Sequence, residues 1–208
     1  MTVNESYTTV LDYGKFEYED RKSVFIGECR PVSTEREAIS FIESVKKKYP
    51  DARHHVYAYV LRENSTARFT DDREPQGTAG MPVLDTIRKN DLTDVVVVVT
   101  RYFGGTLLGT GGLVHAYTSA AVGAIGEAEI ITYDIYVQLN IKVGYSDYQR
   151  LGAVFAQYDF KTEDTDYTDE VVITGRVPKT AHDALTAALT EVTAGRIKME
   201  KLGERYDY

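Results

Sequence analysis

Apolar positions along the chain switch between two spacings, and the switches mark its elements. Residues 7–31 carry two strand-like stretches, Tyr13–Tyr18 and Ser23–Val32, joined by a turn at Glu19-Asp20-Arg21-Lys22. Thr34-Glu35-Arg36-Glu37 reads as a capping box. It predicts a helix to about Lys48 that buries Ala38, Ile42 and Val45 with Ile39 alongside, closed by Pro50. Strands follow at His54–Leu61 and Ala67–Thr70, then a loop with two prolines, from Asp71 to Pro82. Pro82 suits the first turn of a helix to about Lys89. Val95–Val99, five valines in a row, predicts a strand buried on both faces. Leu113, Ala116, Tyr117, Ala120 and Ala124 then fall at helical spacing to about Glu127, completing a βαβ-like unit.

The pattern restarts after Thr132-Tyr133-Asp134. Tyr136–Val143 alternates as a strand, and Ser146-Asp147-Tyr148-Gln149 reads as a second capping box. The helix it opens carries Leu151, Val154, Phe155 and Tyr158. Phe160–Asp164 and Val171–Val177 form a hairpin through Asp166–Asp169. Thr180 begins a helix that ends at Gly195, and Arg196–Tyr206 is a last strand. The order β-α-β-β-α-β is that of a split βαβ, ferredoxin-like unit. We therefore expect an α+β chain of two domains, 1–134 and 135–208.

Composition narrows the function classes. The 208 residues, 43% hydrophobic and 27% charged, describe an ordinary globular chain. No apolar run approaches the roughly 20 residues of a membrane span. Met1–Tyr7 shows neither a basic nor an apolar signal region, so no secretory signal and a cytoplasmic location are expected. The net charge of −8 weighs against a broad nucleic-acid-binding surface without excluding a local basic patch. The single cysteine, Cys29, rules out an intrachain disulfide and reads as a small buried hydrophobe.

Candidate chemistry gathers between the valine strand and the helix after it. Five glycines, Gly104, Gly105, Gly109, Gly111 and Gly112, lie within nine residues. They either cradle an anion at a helix start or let a small-residue helix press on the sheet. The stretch lacks the Gly-Lys-Ser/Thr ending and the G-x-G-x-x-G spacing of nucleotide loops. Thr110 is a plausible helix cap, and Arg101 is the residue best suited to grip an anion, its alternative being a salt bridge to Asp71, Asp72 or Glu74. That acidic trio lacks calcium-loop spacing, and the four histidines form no zinc pair. His54 and His55 point to opposite faces if both lie in the strand. No catalytic set, metal site or cofactor site emerges from spacing.

Three long motifs resemble one family. Arg101–Tyr117, with Phe103-Gly104-Gly105-Thr106-Leu107-Leu108-Gly109-Thr110-Gly111-Gly112 at its centre, closely resembles the signature of the YigZ/IMPACT family. Asp71–Pro82 resembles its second block and His54–Tyr59 a third. Arg73, Gln76 and His115 stand where the family usually has glycine, serine and arginine. The resemblance implies an N-terminal domain of the ribosomal protein S5 domain 2-like type and a C-terminal domain similar to the last domain of translation factor G. In eukaryotic relatives it implies regulation of translation by competing for the activator of a stress-responsive kinase. The expected function is a non-catalytic binding protein contacting RNA, the ribosome or a translation-related protein. The alternative is an enzyme acting on a phosphorylated small molecule held by the glycine loop. The candidate binding face comprises His54, Asp71, Asp72, Glu74, Arg101, Gly104, Gly105, Gly109, Thr110, Gly111 and Gly112.

Overall fold

The computed structural model describes residues 6–208. Met1–Glu5, part of the stretch read as free of a secretory signal, lies outside them. The chain is α+β with antiparallel sheets and divides into two compact units, Tyr7–Thr132 and Tyr133–Tyr208. Among the described residues no helix is long and apolar enough to cross a membrane.

The first unit contains β1 (Tyr7–Val10), β2 (Gly14–Asp20), β3 (Ser23–Pro31), α1 (Glu35–Lys48), β4 (His54–Leu61), β5 (Thr66–Thr70), α2 (Gly80–Lys89), β6 (Val95–Tyr102) and α3 (Gly109–Gly126). Residues 7–31 thus hold three strands, not two. β1 lies beside the start of β7 (Ile130–Val143), with Thr8 Oγ1 3.0 Å from Thr132 Oγ1. The main sheet has the order β2-β3-β6-β4-β5, antiparallel throughout. The expected βαβ-like unit is therefore split. β5 and β6 run the same way, but β4 lies between them.

The valine run fills the middle of this sheet. Val95, Val97 and Val99 pack with Val83, Ile87, Ala116 and Tyr117 from α2 and α3. Val96 and Val98 pack with Ala38, Phe41, Ile42 and Val45 of α1 on the other side. All five are fully buried, as a β-branched run between two helical layers should be. The capping box at Thr34 forms in part: Thr34 Oγ1 accepts from Glu37 N–H at 3.3 Å, while Glu37 reaches one residue past the cap and accepts from Ser33 N–H at 2.7 Å. Ile39 faces solvent and Phe41 takes the inward place, because the buried stripe of α1 runs 38-41-42-45.

α3 can lie close to β2 and β3 only because of glycine. A Cβ on Gly27 would stand 2.2 Å from the Ala120 carbonyl oxygen, and one on Gly14 2.1 Å from that of Ala124. The Cys29 thiol donates to the same Ala124 oxygen at 3.2 Å. Burial pushes that thiol up to about 12, so it behaves as the expected inert core residue.

The second unit continues with β7, α4 (Tyr145–Gln157), β8 (Lys161–Tyr167), β9 (Val171–Pro178), α5 (His182–Val192) and β10 (Lys198–Asp207). Its strands run β10-β7-β9-β8, all antiparallel. Leu151 and Phe155 of α4 and Leu185 and Leu189 of α5 share one core with Val137, Leu139, Ile141 and Ile173. The second capping box does not form. α4 starts at Tyr145 after Gly144, whose carbonyl accepts from Asp147 and Tyr148 N–H, so Ser146 is already helical. Asp147 is held instead by two bonds from Arg196, at 2.8 and 2.9 Å. Thr180 sits in a short 3-10 turn, Lys179–Ala181, before α5 begins.

Two glycines make opposite predictions. Gly27→Ala should cost at least about 3 kcal/mol, since backbone cannot yield as a side-chain tip can. Gly111→Ala meets nothing within 4 Å and should gain roughly 0.5 kcal/mol from helix propensity. Urea denaturation of both variants measures the difference.

Candidate functional site

The second motif builds a braced loop. Asp71 Oδ1 accepts from the N–H groups of Ala79 and Gly80, at 3.1 and 2.8 Å, and its Oδ2 from Gly77 N–H at 2.9 Å. An aspartate nine residues before the helix thus caps α2, which begins at Gly80 rather than Pro82. Asp72 Oδ2 accepts from His55 N–H at 2.7 Å, fastening the loop to β4. Among the described residues no group of three His, Cys, Asp or Glu could hold an ion.

Glu74 lies at the centre. Its side chain is 5% exposed, and Oε1 accepts from Arg101 Nη1 at 2.6 Å and from Tyr117 OH at 2.8 Å. His54 Nδ1 donates to the Asp72 carbonyl at 2.8 Å, which turns its Nε2 toward Glu74 Oε1 at 3.7 Å. Arg101 is therefore buried inside an ion pair, not presented to a ligand; the alternative of a salt bridge to the acidic trio is what the structure shows. A carboxylate and a guanidinium out of water stabilise only as a pair with their remaining bonds met. Burial, and then the Glu74 charge, push the Tyr117 hydroxyl far above the usual tyrosine range, so it stays a donor. Sequence reasoning missed Tyr117 as a polar residue. Its signal was a tyrosine on the buried stripe of a helix, which needs a partner for its hydroxyl.

His54 and His55 do face opposite ways. His55 Nε2 donates to the Tyr49 carbonyl at 3.0 Å on the α1 side. Burial holds its imidazole below the ordinary value, and that outweighs the carbonyl.

The glycine loop lies outside this knot. Gly104 N–H donates to Ser23 Oγ at 3.1 Å, and a Cβ there would strike the Lys22 carbonyl carbon at 2.1 Å, so this glycine is required by packing. Gly105 and Gly109 adopt φ of 86° and 72° in open space. α3 begins at Gly109, so Thr110 is inside the helix and does not cap it; no side chain does. The structure thus brings His54, Asp72, Glu74 and Arg101 together. Asp71 serves α2, and Gly105, Gly109, Thr110 and Gly111 remain exposed. Around the loop stand residues that the sequence did not single out: exposed Phe103 and Leu107, and the cations Arg21, Lys22 and Arg53. Arg21 Nη1 reaches the Leu107 carbonyl at 3.4 Å.

The chain is similar to known proteins over most of its length. The family described as Impact N-terminal domain matches residues 21–125, and a domain of unknown function, DUF1949, matches residues 141–196. The IMPACT family member YvyE of Bacillus subtilis is 34% identical over 192 residues, covering 92% of this chain and 88% of its own. The IMPACT family member YigZ of Escherichia coli is 31% identical over 189 residues, covering 89% and 93%. A Dictyostelium discoideum protein named Protein IMPACT homolog is 35% identical over 100 residues, 46% of this chain and 29% of that one. A crystal structure described as that of an hypothetical protein superposes with a TM-score of 0.61 at 29% identity, over 97% of this chain and 99% of the other. The chain belongs to the IMPACT family.

Three measurements test the knot and the residues around it. Arg101→Ala strands the Glu74 carboxylate and should cost about 3–5 kcal/mol; adding Glu74→Gln should recover part of that in a double-mutant cycle. Arg73 sits at φ 70° with its side chain 82% exposed. Arg73→Gly should raise stability by about 0.5–1 kcal/mol by removing left-handed strain. The His55 contribution is complete above its unfolded pKa, about 6.5, and is lost as pH falls from there through the lower folded value. Unfolding midpoints of wild type and His55→Gln against pH should therefore converge in acid.

Proposed function

We propose that this chain is a non-catalytic, cytoplasmic binding protein that acts on translation, with the glycine-loop face as its docking surface for RNA, the ribosome or a translation-related protein. One observation carries the reading. The polar side chains suited to chemistry are spent inward, Asp71 on α2, Asp72 on His55 N–H, and Glu74 on Arg101 and Tyr117. The outward ring is left with Phe103, Leu107, Arg21, Lys22 and Arg53, which suit contact rather than bond making. A phosphate-handling enzyme would need Asp72 or Glu74 free to hold a metal or a proton, so this geometry lends that alternative no support.

The family and the architecture point the same way. The strand order β10-β7-β9-β8, with α4 and α5 against one core, supports reading the second unit as ferredoxin-like, similar to the last domain of translation factor G. The five-stranded sheet carrying α1 on one side and α2 and α3 on the other supports an S5 domain 2-like first unit. Both assignments are by fold, so the function rests on the face itself.

Co-sedimentation with ribosomes at low and moderate salt tests the reading. Wild type should pellet with ribosomes at low salt and dissociate as salt rises, and Lys22→Gln/Arg53→Gln should weaken association about tenfold or more with the melting temperature unchanged. Equal pelleting by wild type and this double variant would remove the glycine-loop face from the interaction.

A further inference from the structure

From the core outward, side chains of the first unit alternate aromatic and cationic. Phe25 is fully buried; the Arg101 guanidinium carbon lies 5.2 Å from its ring centre and 5.7 Å from that of Phe103; the Arg53 guanidinium carbon lies 5.7 Å from Phe103 on the outside. Such spacing is that of cation–π contact. The inner rungs are fixed. Arg101 is clamped by Glu74, its Nε is buried without an acceptor among the described residues, and Arg53 N–H donates to the Arg101 carbonyl at 3.2 Å. The outer rungs are open: Phe103 is 40% exposed and Arg53 is exposed.

We propose that this ladder ends in a stacking platform for one base of a single-stranded nucleic acid, with Lys22 and Arg21 taking the adjoining phosphates. The proposal rests on the glycine-loop face being the docking surface and names the chemistry it recognises. The next rung on an aromatic–cation ladder is a planar π system, and a nucleobase brings one. A base also brings phosphates, and the β2–β3 turn sets Arg21 and Lys22 against the same loop, the Lys22 backbone lying directly under Gly104. Gly105, with nothing within 4 Å of a Cβ, leaves the approach unobstructed. Nearby carboxylates temper the attraction without closing the site: Asp51 accepts from Tyr102 OH at 2.9 Å, and Asp72 is bonded to β4. On a chain of net charge −8 the result is modest, salt-sensitive affinity. Bases inside a duplex are already stacked and offer no free face, so the platform selects single strands.

Fluorescence anisotropy with a short labelled oligouridylate and a blunt duplex of equal length tests this, on the full chain at low salt. The single strand should bind more tightly than the duplex. Phe103→Ala, which removes the ring that supports the Arg53 guanidinium, should weaken it about tenfold and leave the salt dependence unchanged, because a neutral ring releases no counterions; Arg53→Lys, which keeps the charge and loses the planar face, should weaken it likewise. Phe103→Tyr should restore binding, and Lys22→Gln should weaken it while lowering the salt slope by about one. Thermal melts confirm folding; both positions are at the surface. Duplex preference, no oligonucleotide binding, or binding indifferent to Phe103→Ala overturns the platform. Ribosome pelleting of the same variants separates the two readings. Association of wild type that Phe103→Ala abolishes, with no oligonucleotide bound, assigns the ring to a ribosomal contact other than a free base and leaves the docking face standing. Absence of both kinds of binding removes platform and face together.

Discussion

One carboxylate oxygen holds the first unit's loops in place. Glu74 Oε1 collects Arg101 from the end of β6 and Tyr117 from α3, with His54 of β4 close by. Four stretches far apart in sequence meet at that atom. A nine-residue connection with a proline and a glycine inside it has little reason to adopt one shape by itself. It does so here because a buried charge tolerates no alternative in which its partner is missing. Asp71 then extends the order to the first turn of α2, and Asp72 to β4.

Periodicity made most of the fold readable. Five consecutive valines can be satisfied only between two apolar layers, and the 113-116-117-120-124 stripe only by a helix against one. Less visible was what depended on partners distant in sequence. Ser146-Asp147-Tyr148-Gln149 has a capping box's letters, yet Arg196 claims Asp147 and the helix starts two residues earlier. Thr110 looked like a cap because the preceding glycines hid where the helix begins. Strand order was similarly hidden, since nothing local tells β6 that β4 will separate it from β5.

For the candidate site the division is sharper. An arginine at a strand end before two glycines looks the same in sequence whether it points to solvent or to a buried glutamate. The residues that look most chemical, Asp71, Asp72, Glu74 and Arg101, turned out to be architecture. Those left for contact, Phe103, Arg53, Lys22 and Arg21, carry no motif of their own and become a surface only when the β2–β3 turn and the glycine loop are brought together.

The seam between α3 and the β2–β3 hairpin has a consequence for how such a chain changes over generations. With backbone oxygens where the Cβ atoms of residues 14 and 27 would sit, neither side has slack. A larger residue on one strand is tolerable only if the helix withdraws, and withdrawal opens voids beside Phe25 and Tyr117. Substitutions along this line must arrive in concert or not at all. Crowding alone can thus keep a stretch recognisable between distant relatives, while the exposed rim beside it stays free to drift toward a new partner.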